Sequence, residues 1–469
     1  MQDTGTPTPP PLRVTLVQTK PKKADVAGNL AVIRDRWLKE IPDADIVVFP
    51  EASLTGYFLE GGVADVAVPV EEVAAGLGKP GPRAANVVLG FYERWQRGIY
   101  NSVACFEPDG DEYRAIHVHR KMFLPSYGVF EEARFADPGT ELAAFDSRFG
   151  RMGMLVCEEM WHSLPATILA LDGAELILVV SASPAREFRE GLGRSENLAR
   201  WDALAQGTAQ EHGVFVGVCQ LVGSEGGKVF LGGSIAVGPD GSILGRGPLM
   251  EEGLISADMS GKSIERARFE SPLLADLRQM LPHLQRSLNR AGTGESRQAE
   301  TQLAGGGSFR PTAQSPKPGV PVPALDMALI EKILVEFIRE EVVRRRGFEG
   351  VVLGVSGGVD SAVSLYLAVE ALGPENVTGF RMPYATSSPE SLEHAGLVLS
   401  ATGACAETIE ITSAVDAYIR DVDPALSDLR RGNLAARIRG VTLFDQSAKL
   451  GRLPLGTGNK SERLLGYFT

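Results

Sequence analysis

Two sets of residues in this sequence are of the types and spacing that could do chemistry. The first is one run, Gly354-Val355-Ser356-Gly357-Gly358-Val359-Asp360-Ser361. It follows the apolar stretch Gly350-Val351-Val352-Leu353, which reads as a buried strand. It leads into Val363-Ser364-Leu365-Tyr366-Leu367-Ala368, whose apolar residues continue at helical spacing. Glycines let such a loop approach a ligand closely. The unpaired N–H groups of the helix start then face the loop, and the helix dipole favours an anion there. A phosphate is the natural occupant. The loop is not a Walker A motif, because no Lys-Ser or Lys-Thr follows the glycines; in Gly261-Lys262-Ser263, the only Gly-Lys-Ser of the chain, Ser256 stands where that motif needs its first glycine.

The second set is dispersed. Glu51 closes the strand-like Asp45–Phe49 after Pro50, Lys121 sits in Arg120-Lys121-Met122-Phe123-Leu124-Pro125, and Cys157 follows the strand-like Arg151–Val156. A cysteine where a strand turns into a helix is well placed as a nucleophile, but a thiol with a pKa of about 8.5 still needs a base or a positive field. A lone cysteine is more often a small buried hydrophobe, and charges are common at strand ends, so none of the three is decisive by itself.

The elements that must position these groups fall into two stretches. Residues 12–265 alternate strands with helices, which indicates a layered α/β architecture. Strands are expected at 12–18, 45–49, 86–92, 100–106, 151–156, 175–180 and 214–219, and helices at 25–40, 162–171 and 195–211. Residues 266–324 read as a connecting segment, with a flexible Gly/Ser/Pro-rich linker from Ser287 to Pro323. From Leu325 to Thr469 a long amphipathic helix precedes βαβ alternation, which predicts a doubly wound parallel sheet with a nucleotide at the carboxyl ends of its strands. Residues 1–11 read as a disordered tail without a signal pattern.

Composition narrows the class further. The chain has 469 residues, 44% apolar and 23% charged, as globular domains do. A formal charge of −12 argues against a nucleic-acid footprint. No run of about eighteen apolar residues occurs, so no membrane span is expected. Four scattered cysteines without a C-x-x-C suggest neither zinc nor disulfides and fit a reducing cytoplasm. His117 and His119 share a strand face, and a solvated face is a better expectation for them than a metal pair.

In their order and context, the loop residues resemble the PP-loop of the ATP pyrophosphatases. The resemblance implies that Gly354 to Ser361 hold the pyrophosphate of ATP and that Asp360 helps to bind magnesium. Glu51, Lys121 and Cys157 together resemble the nitrilase superfamily, which implies an αββα sandwich and a Glu-Lys-Cys triad. Tyr127-Gly128-Val129-Phe130-Glu131-Glu132-Ala133-Arg134-Phe135, Ser183-Pro184 and Phe230-Leu231-Gly232-Gly233-Ser234 extend that resemblance. It assigns Cys157 as nucleophile, Glu51 as general base, and Lys121, with a backbone N–H after Cys157, as the oxyanion stabiliser. Glu132 stands at the family's second-glutamate position, with Glu131 as its competitor.

Asn433-Leu434-Ala435-Ala436-Arg437 and Gly456-Thr457-Gly458-Asn459-Lys460-Ser461-Glu462, followed by Gly466-Tyr467-Phe468-Thr469, are similar to motifs of NAD synthetases. Over nearly its whole length the chain thus resembles the glutamine-dependent NAD synthetases. The resemblance implies amidation of deamido-NAD through an adenylate, with glutamine as amide donor, ATP and magnesium. Tyr127, Ser183 and Arg189 would contact glutamine, with Arg189 replacing a more usual lysine. Thr457 would contact ATP, Asn433, Arg437 and Glu462 would contact deamido-NAD, and Asp360 and Glu462 would hold the metal. Dimers through the synthetase domains, or larger homo-oligomers, are implied as well. The family continues beyond the point where this sequence stops, so an incomplete synthetase domain is expected. The alternative is a carbon–nitrogen hydrolase carrying a non-functional synthetase domain. A non-catalytic ATP-binding module would leave the triad unused, and a GMP synthetase would normally carry a Gly-x-Cys-x-Gly elbow, which Gly217-Val218-Cys219-Gln220-Leu221 lacks.

Overall fold

A computed structural model describes residues 11–59, 61–81, 83–186, 195–292 and 325–465. Arg189, the tail up to residue 10, and Gly466–Thr469 lie outside the described residues. The chain divides into two compact units, Met1–Asp326 and Met327–Thr469.

The first unit is a sandwich of two six-stranded sheets. One has the order Gly253–Met259, Leu12–Gln18, Ile46–Val48, Asn86–Trp95, Gly98–Asp109, Glu112–Arg120. The other runs Ile243–Arg246, Ile235–Val237, Phe215–Gln220, Leu176–Ser181, Gly150–Val156, Phe145–Ser147. Strand side chains alternate between faces, and the sequence uses both. Ile46 and Val48 join Met154, Leu178 and Val216 in the core between the sheets, whereas Val47 turns outward with Leu30, Trp37 and Val73 of the covering helices. Two apolar faces per sheet explain why the strands read as near-continuous apolar runs. Leu169, Trp201 and Ala205, from helices Ser163–Leu171 and Glu196–His212, cover the outside of the second sheet. The αββα expectation is met.

The helix expected over 25–40 is present as Val26–Val32, a π-helical turn Ile33–Trp37 and Leu38–Glu40; the Asp25 side chain caps its start by accepting from the Gly28 N–H. The late strands of this unit, from Val222 to Met259, were not anticipated, because each of the first four spans only three or four residues. The linker expected from Ser287 does not start there, since helix Leu273–Gly292 continues through that point; the remainder of that stretch, 293–323, lies outside the described residues. The helix's apolar residues Leu277, Leu281, Leu284 and Leu288 recur at helical spacing and outweigh the polar composition.

The second unit holds a parallel four-stranded sheet in the order Cys405–Thr408, Val377–Arg381, Val351–Gly354, Leu453–Pro454. Buried residues of helices Met327–Arg339, Val359–Leu372 and Pro389–Thr402 pack on it with Val351 and Leu353. Val352 and Phe380 face Val415 and Ala435 in a separate core. Helices on both faces of a parallel sheet give the doubly wound arrangement expected.

Candidate active sites

In the first unit the ends of three strands converge. Glu51 and Lys121 are wholly buried and Glu132 nearly so. Lys121 Nζ donates to Glu51 Oε1 at 2.8 Å and to Glu132 Oε2 at 2.7 Å. Asn101 Nδ2 donates to Glu51 Oε1 at 2.8 Å and also to Glu132 Oε1, and the Tyr57 hydroxyl donates to Glu132 Oε2 at 2.9 Å. Burial by itself would push Lys121 down, but the two facing carboxylates win and hold its ammonium well above the ordinary value. For Glu132 burial wins, reinforced by Glu51, and the carboxyl is raised although Lys121 pulls the other way. Glu131 is exposed and pairs with Arg134 at 3.5 Å, so Glu132 is the glutamate that faces the lysine.

The backbone is bent to present these groups. Gly90 admits the turn carrying Glu51: a Cβ there would lie 2.7 Å from Glu51 Cα. Ala52, directly after Glu51, has φ +52° and Cys157 has φ +48°. Left-handed conformations of non-glycine residues cost roughly 1–3 kcal/mol each and persist where the surroundings over-determine them. Cys157 opens a 3₁₀ turn, Cys157–Trp161, at the end of strand Gly150–Val156. Its Sγ accepts from the Ser181 hydroxyl at 3.4 Å, while the next residue's N–H, that of Ala182, donates to Glu51 Oε2 at 2.6 Å. One strand end therefore ties nucleophile to base. The thiol is pushed up by burial first and by Glu51 second; Lys121 opposes both without prevailing. A resting neutral thiol suits a base that takes the proton only as attack proceeds. Alkylation of Cys157 by iodoacetamide is therefore expected to accelerate continuously from pH 6 to pH 9, and a rate already level at pH 6–7 would contradict a protonated resting thiol.

Tyr127 donates its hydroxyl to Glu158 Oε2 at 2.9 Å, beside the nucleophile. Ser183 accepts from Asn197 Nδ2 at 3.2 Å, just past the strand that carries Ser181. A cavity of about 540 Å³, bordered by Tyr57, Phe58, Glu132, Phe135 and Lys228, touches the buried cluster at Glu132. Asn101 and Tyr57 were missed from sequence, for a single asparagine or tyrosine inside an apolar run carries no motif. His117 and His119 do not form a solvated face: His117 stacks on Phe145 at 4.4 Å and burial pushes it down to about 4, while His119 is buried against Glu159 at 2.7 Å. Strand Glu112–Arg120 covers the core at that end, which the alternation of its residues did not reveal.

In the second unit the glycine loop joins strand Val351–Gly354 to helix Val359–Leu372. Gly357 has φ +84°, and a Cβ on it would lie 2.4 Å from the Ser391 carbonyl oxygen, so only glycine fits. The loop is braced from within: the Ser361 hydroxyl donates to the Gly358 carbonyl at 2.9 Å and the Gly358 N–H to Ser356 Oγ at 3.3 Å. Gly354, Val355, Ser356 and Thr457 line a cavity of about 460 Å³. Phe380, Met382 and Gly440, which carry no motif in the sequence, are also among its walls, as is Arg439. Arg439 donates to the Met382 carbonyl at 2.9 Å. Asn433 and Arg437 lie one turn apart on helix Asp428–Leu450 and do not line this cavity. Asn459 Nδ2 donates to Asp360 Oδ1 at 3.2 Å, and Asn459 and Glu462 cap one another through their N–H groups at 3.0 and 2.9 Å. Asn459 thus brings Asp360 and Glu462 to one place. Among the described residues no cluster of three or more His, Cys, Asp or Glu could hold a metal, and no helix is long and apolar enough to cross a membrane.

The family model for carbon–nitrogen hydrolases matches residues 13–269, and the model for NAD synthase matches residues 330–469. A hydrolase of carbon–nitrogen bonds followed by an NAD synthase is the class that fold and sites define. The glutamine-dependent NAD(+) synthetase of Thermotoga maritima is 32% identical over 98% of this chain and 76% of its own length. The solved structure of the Acinetobacter baumannii glutamine-dependent NAD+ synthetase, in complex with ADP, superposes with a TM-score of 0.74 at 27% identity, covering 98% of this chain and 76% of that one. The NH(3)-dependent NAD(+) synthetase of Chlorobaculum parvum is 53% identical over 145 residues, 31% of this chain and 52% of that protein. The chain belongs to the glutamine-dependent NAD(+) synthetase family.

Proposed function

We propose that the chain amidates deamido-NAD+ to NAD+ with ATP, using ammonia released from glutamine in its first unit. The observation that carries this reading is the joint presence of a buried Glu51–Lys121–Glu132 cluster beside Cys157 and an intact glycine loop in one chain. A hydrolase with an inert second domain would leave that loop and its cavity without a use.

Glu51 takes the Sγ proton as the sulfur attacks the side-chain carbonyl of glutamine. The oxyanion formed meets the Lys121 ammonium and the Glu158 N–H, a donor of the first turn that Cys157 opens. Return of the proton to the departing nitrogen releases ammonia and leaves a thioester. Water, deprotonated by Glu51, then hydrolyses the thioester to glutamate and restores the thiol. Glu132 anchors Lys121 from its second side, and Tyr127, Ser183 and Arg189 are assigned to glutamine.

In the second unit the nicotinate carboxylate attacks the α-phosphorus of ATP, pyrophosphate leaves, and ammonia displaces AMP from the adenylate. The N–H groups of Gly354–Ser361 and Thr457 hold the phosphates. Asn433, Arg437 and Glu462 are assigned to deamido-NAD+. Asp360 and Glu462 would hold magnesium, which supplies charge neutralisation for the polyphosphate; two carboxylates beside a phosphate loop fit its habit of using one or two carboxylates plus substrate oxygens. A reducing cytoplasmic setting suits the free thiols. Assembly through the second unit is supported by Leu429, Val441 and Phe444, all exposed on helix Asp428–Leu450.

The test is NAD+ formation from deamido-NAD+, ATP and magnesium with glutamine and, in parallel, with ammonium. Product from both sources is expected; none from either, with glutamine still hydrolysed, would overturn the synthetase reading. Gly357→Ala should lower synthesis from both nitrogen sources about 100-fold, because the new Cβ must displace the loop from Ser391, and misplacement of about 1 Å costs that much. Glutamine hydrolysis should survive it. Synthesis within threefold of the parent would remove the loop from the reaction.

A further inference from the structure

The triad leaves several buried carboxylates of the first unit without a role, and one of them lies beside the nucleophile. Glu159, two residues after Cys157, is wholly buried. Its Oε1 accepts the Met122 N–H at 2.8 Å, and its Oε2 accepts the Val156 N–H at 2.7 Å. His119 Nε2 lies 2.7 Å from the same Oε2. Burial would raise this carboxyl, yet His119 and the two N–H groups outweigh it and bring it below the ordinary value. An ionised carboxylate only accepts, so the imidazole donates through Nε2.

The identity of the two backbone partners matters more than their number. Met122 directly follows Lys121, and Val156 directly precedes Cys157. The lysine is held at its tip by Glu51 and Glu132, and at its backbone by its own N–H on the Asn101 carbonyl at 2.9 Å. Nothing in those contacts fixes it to the nucleophile's strand; Glu159 does. The bond to the Val156 N–H holds the Leu155–Val156 peptide, one residue before the left-handed Cys157, whose conformation aims both Sγ and the Glu158 N–H. His119 reaches Glu159 from the strand whose end delivers Lys121.

We propose that Glu159, oriented by His119, is a positioning residue for glutamine hydrolysis: its two oxygens clamp the backbone beside the oxyanion-stabilising lysine to the backbone beside the nucleophile. The inference rests on the reading of Cys157 and Lys121 given above. Glutamine at this position keeps the volume but turns an N–H₂ toward one of three donors, so one arm of the clamp opens. Aspartate keeps the charge and can reach one arm well, the other poorly.

The experiment uses the full chain and compares Glu159→Gln, Glu159→Asp and Cys157→Ala with the parent. Glu159→Gln is expected to lower kcat for glutamine hydrolysis about 100-fold with KM changed less than threefold, as displacement by about 1 Å would, and to slow iodoacetamide alkylation of Cys157. Glu159→Asp should recover at least tenfold of that loss. Should Glu159→Gln not fold, His119→Leu and His119→Gln replace it: the first should lower kcat at unchanged KM, and the second, whose amide N–H can donate in place of Nε2–H, should restore it. A folded Glu159→Gln protein with parental kcat and alkylation rate, or a His119→Leu protein with parental kcat, would overturn the proposal. So would a fall in thermal stability with kcat per folded molecule unchanged. Cys157→Ala separates the two levels: if it still hydrolyses glutamine the nucleophile assignment fails, whereas an inactive Cys157→Ala beside a fully active Glu159→Gln sinks the clamp alone.

Discussion

Replacing Cys157 by alanine is expected to abolish glutamine-driven NAD+ formation, by at least about 10⁴-fold, as loss of a covalent nucleophile does where the remaining groups act only with it. Synthesis from ammonium should remain within twofold of the parent, because the loop and its cavity are lined by residues of the second unit. The fold should tolerate the change. Alanine adopts φ +48° at the same cost as cysteine, the Val156 N–H keeps its bond to Glu159, and the methyl leaves only the Ser181 hydroxyl to find a new acceptor. Parallel initial-rate assays with the two nitrogen sources measure the split directly. Equal losses from both sources would mean that the thiol supports the structure rather than the release of ammonia, and retention of the glutamine reaction would assign the nucleophile elsewhere.

The positions of these groups were legible from sequence where type and local context coincide. Glu51 and Cys157 follow apolar strands that end at Val48 and Val156, so a strand end could be inferred for each and a charged or nucleophilic group placed upon it. The glycine loop was legible for the same reason: strand, glycines and helix are contiguous. What stayed hidden are groups that act across the fold. Asn101 sits within the strand Gly98–Asp109 and meets Glu51 and Glu132 only because strand pairing brings them together. Glu159 stands beside Glu158 in the sequence with nothing to mark it, and its partners at Val156, Met122 and His119 span two sheets. His119 was misread because a strand with histidines at alternate positions has the pattern of a wet face; here the face meets Phe145 and Glu159. Burial of a polar residue is decided by what packs on it, which periodicity does not encode.

The choice between Glu131 and Glu132 shows the same limit on a smaller scale. Glu131 caps the short 3₁₀ turn Glu132–Arg134 and Glu132 is its first residue, so the two side chains diverge, and the sequence held no means to say which of them faces inward. Glu132 is the inward one because the Tyr57 hydroxyl, Asn101 and Lys121 all donate to it, while Glu131 meets solvent and Arg134. Three donors on one buried carboxylate are what its desolvation demands.

That demand makes Lys121→Met the most destabilising single change expected in the first unit. The lysine carries the positive charge between two buried carboxylates, and methionine fills the space without it. Removing one member of a buried ionic group costs about 3–5 kcal/mol, because the partners are left uncompensated. Glu51 and Glu132, both hydrogen-bonded to the Asn101 amide group, would then repel, and one of them would have to take up a proton. Catalysis suffers twice: the oxyanion loses its cation, worth about 10²–10³ in kcat for one donor, and the base Glu51 loses one of the contacts that hold it in place. Glutamine hydrolysis should therefore fall by at least about 10⁴-fold. Urea unfolding of the parent, of Lys121→Met and of Lys121→Met with Glu132→Gln separates charge from packing. The double variant removes one of the two carboxylate charges while keeping the shape, so it should regain most of the lost stability and none of the activity. If Lys121→Met unfolds at the parental urea concentration, or if the double variant is no more stable than the single one, the carboxylates do not depend on the lysine as their contacts imply, and the oxyanion role would have to be argued without it.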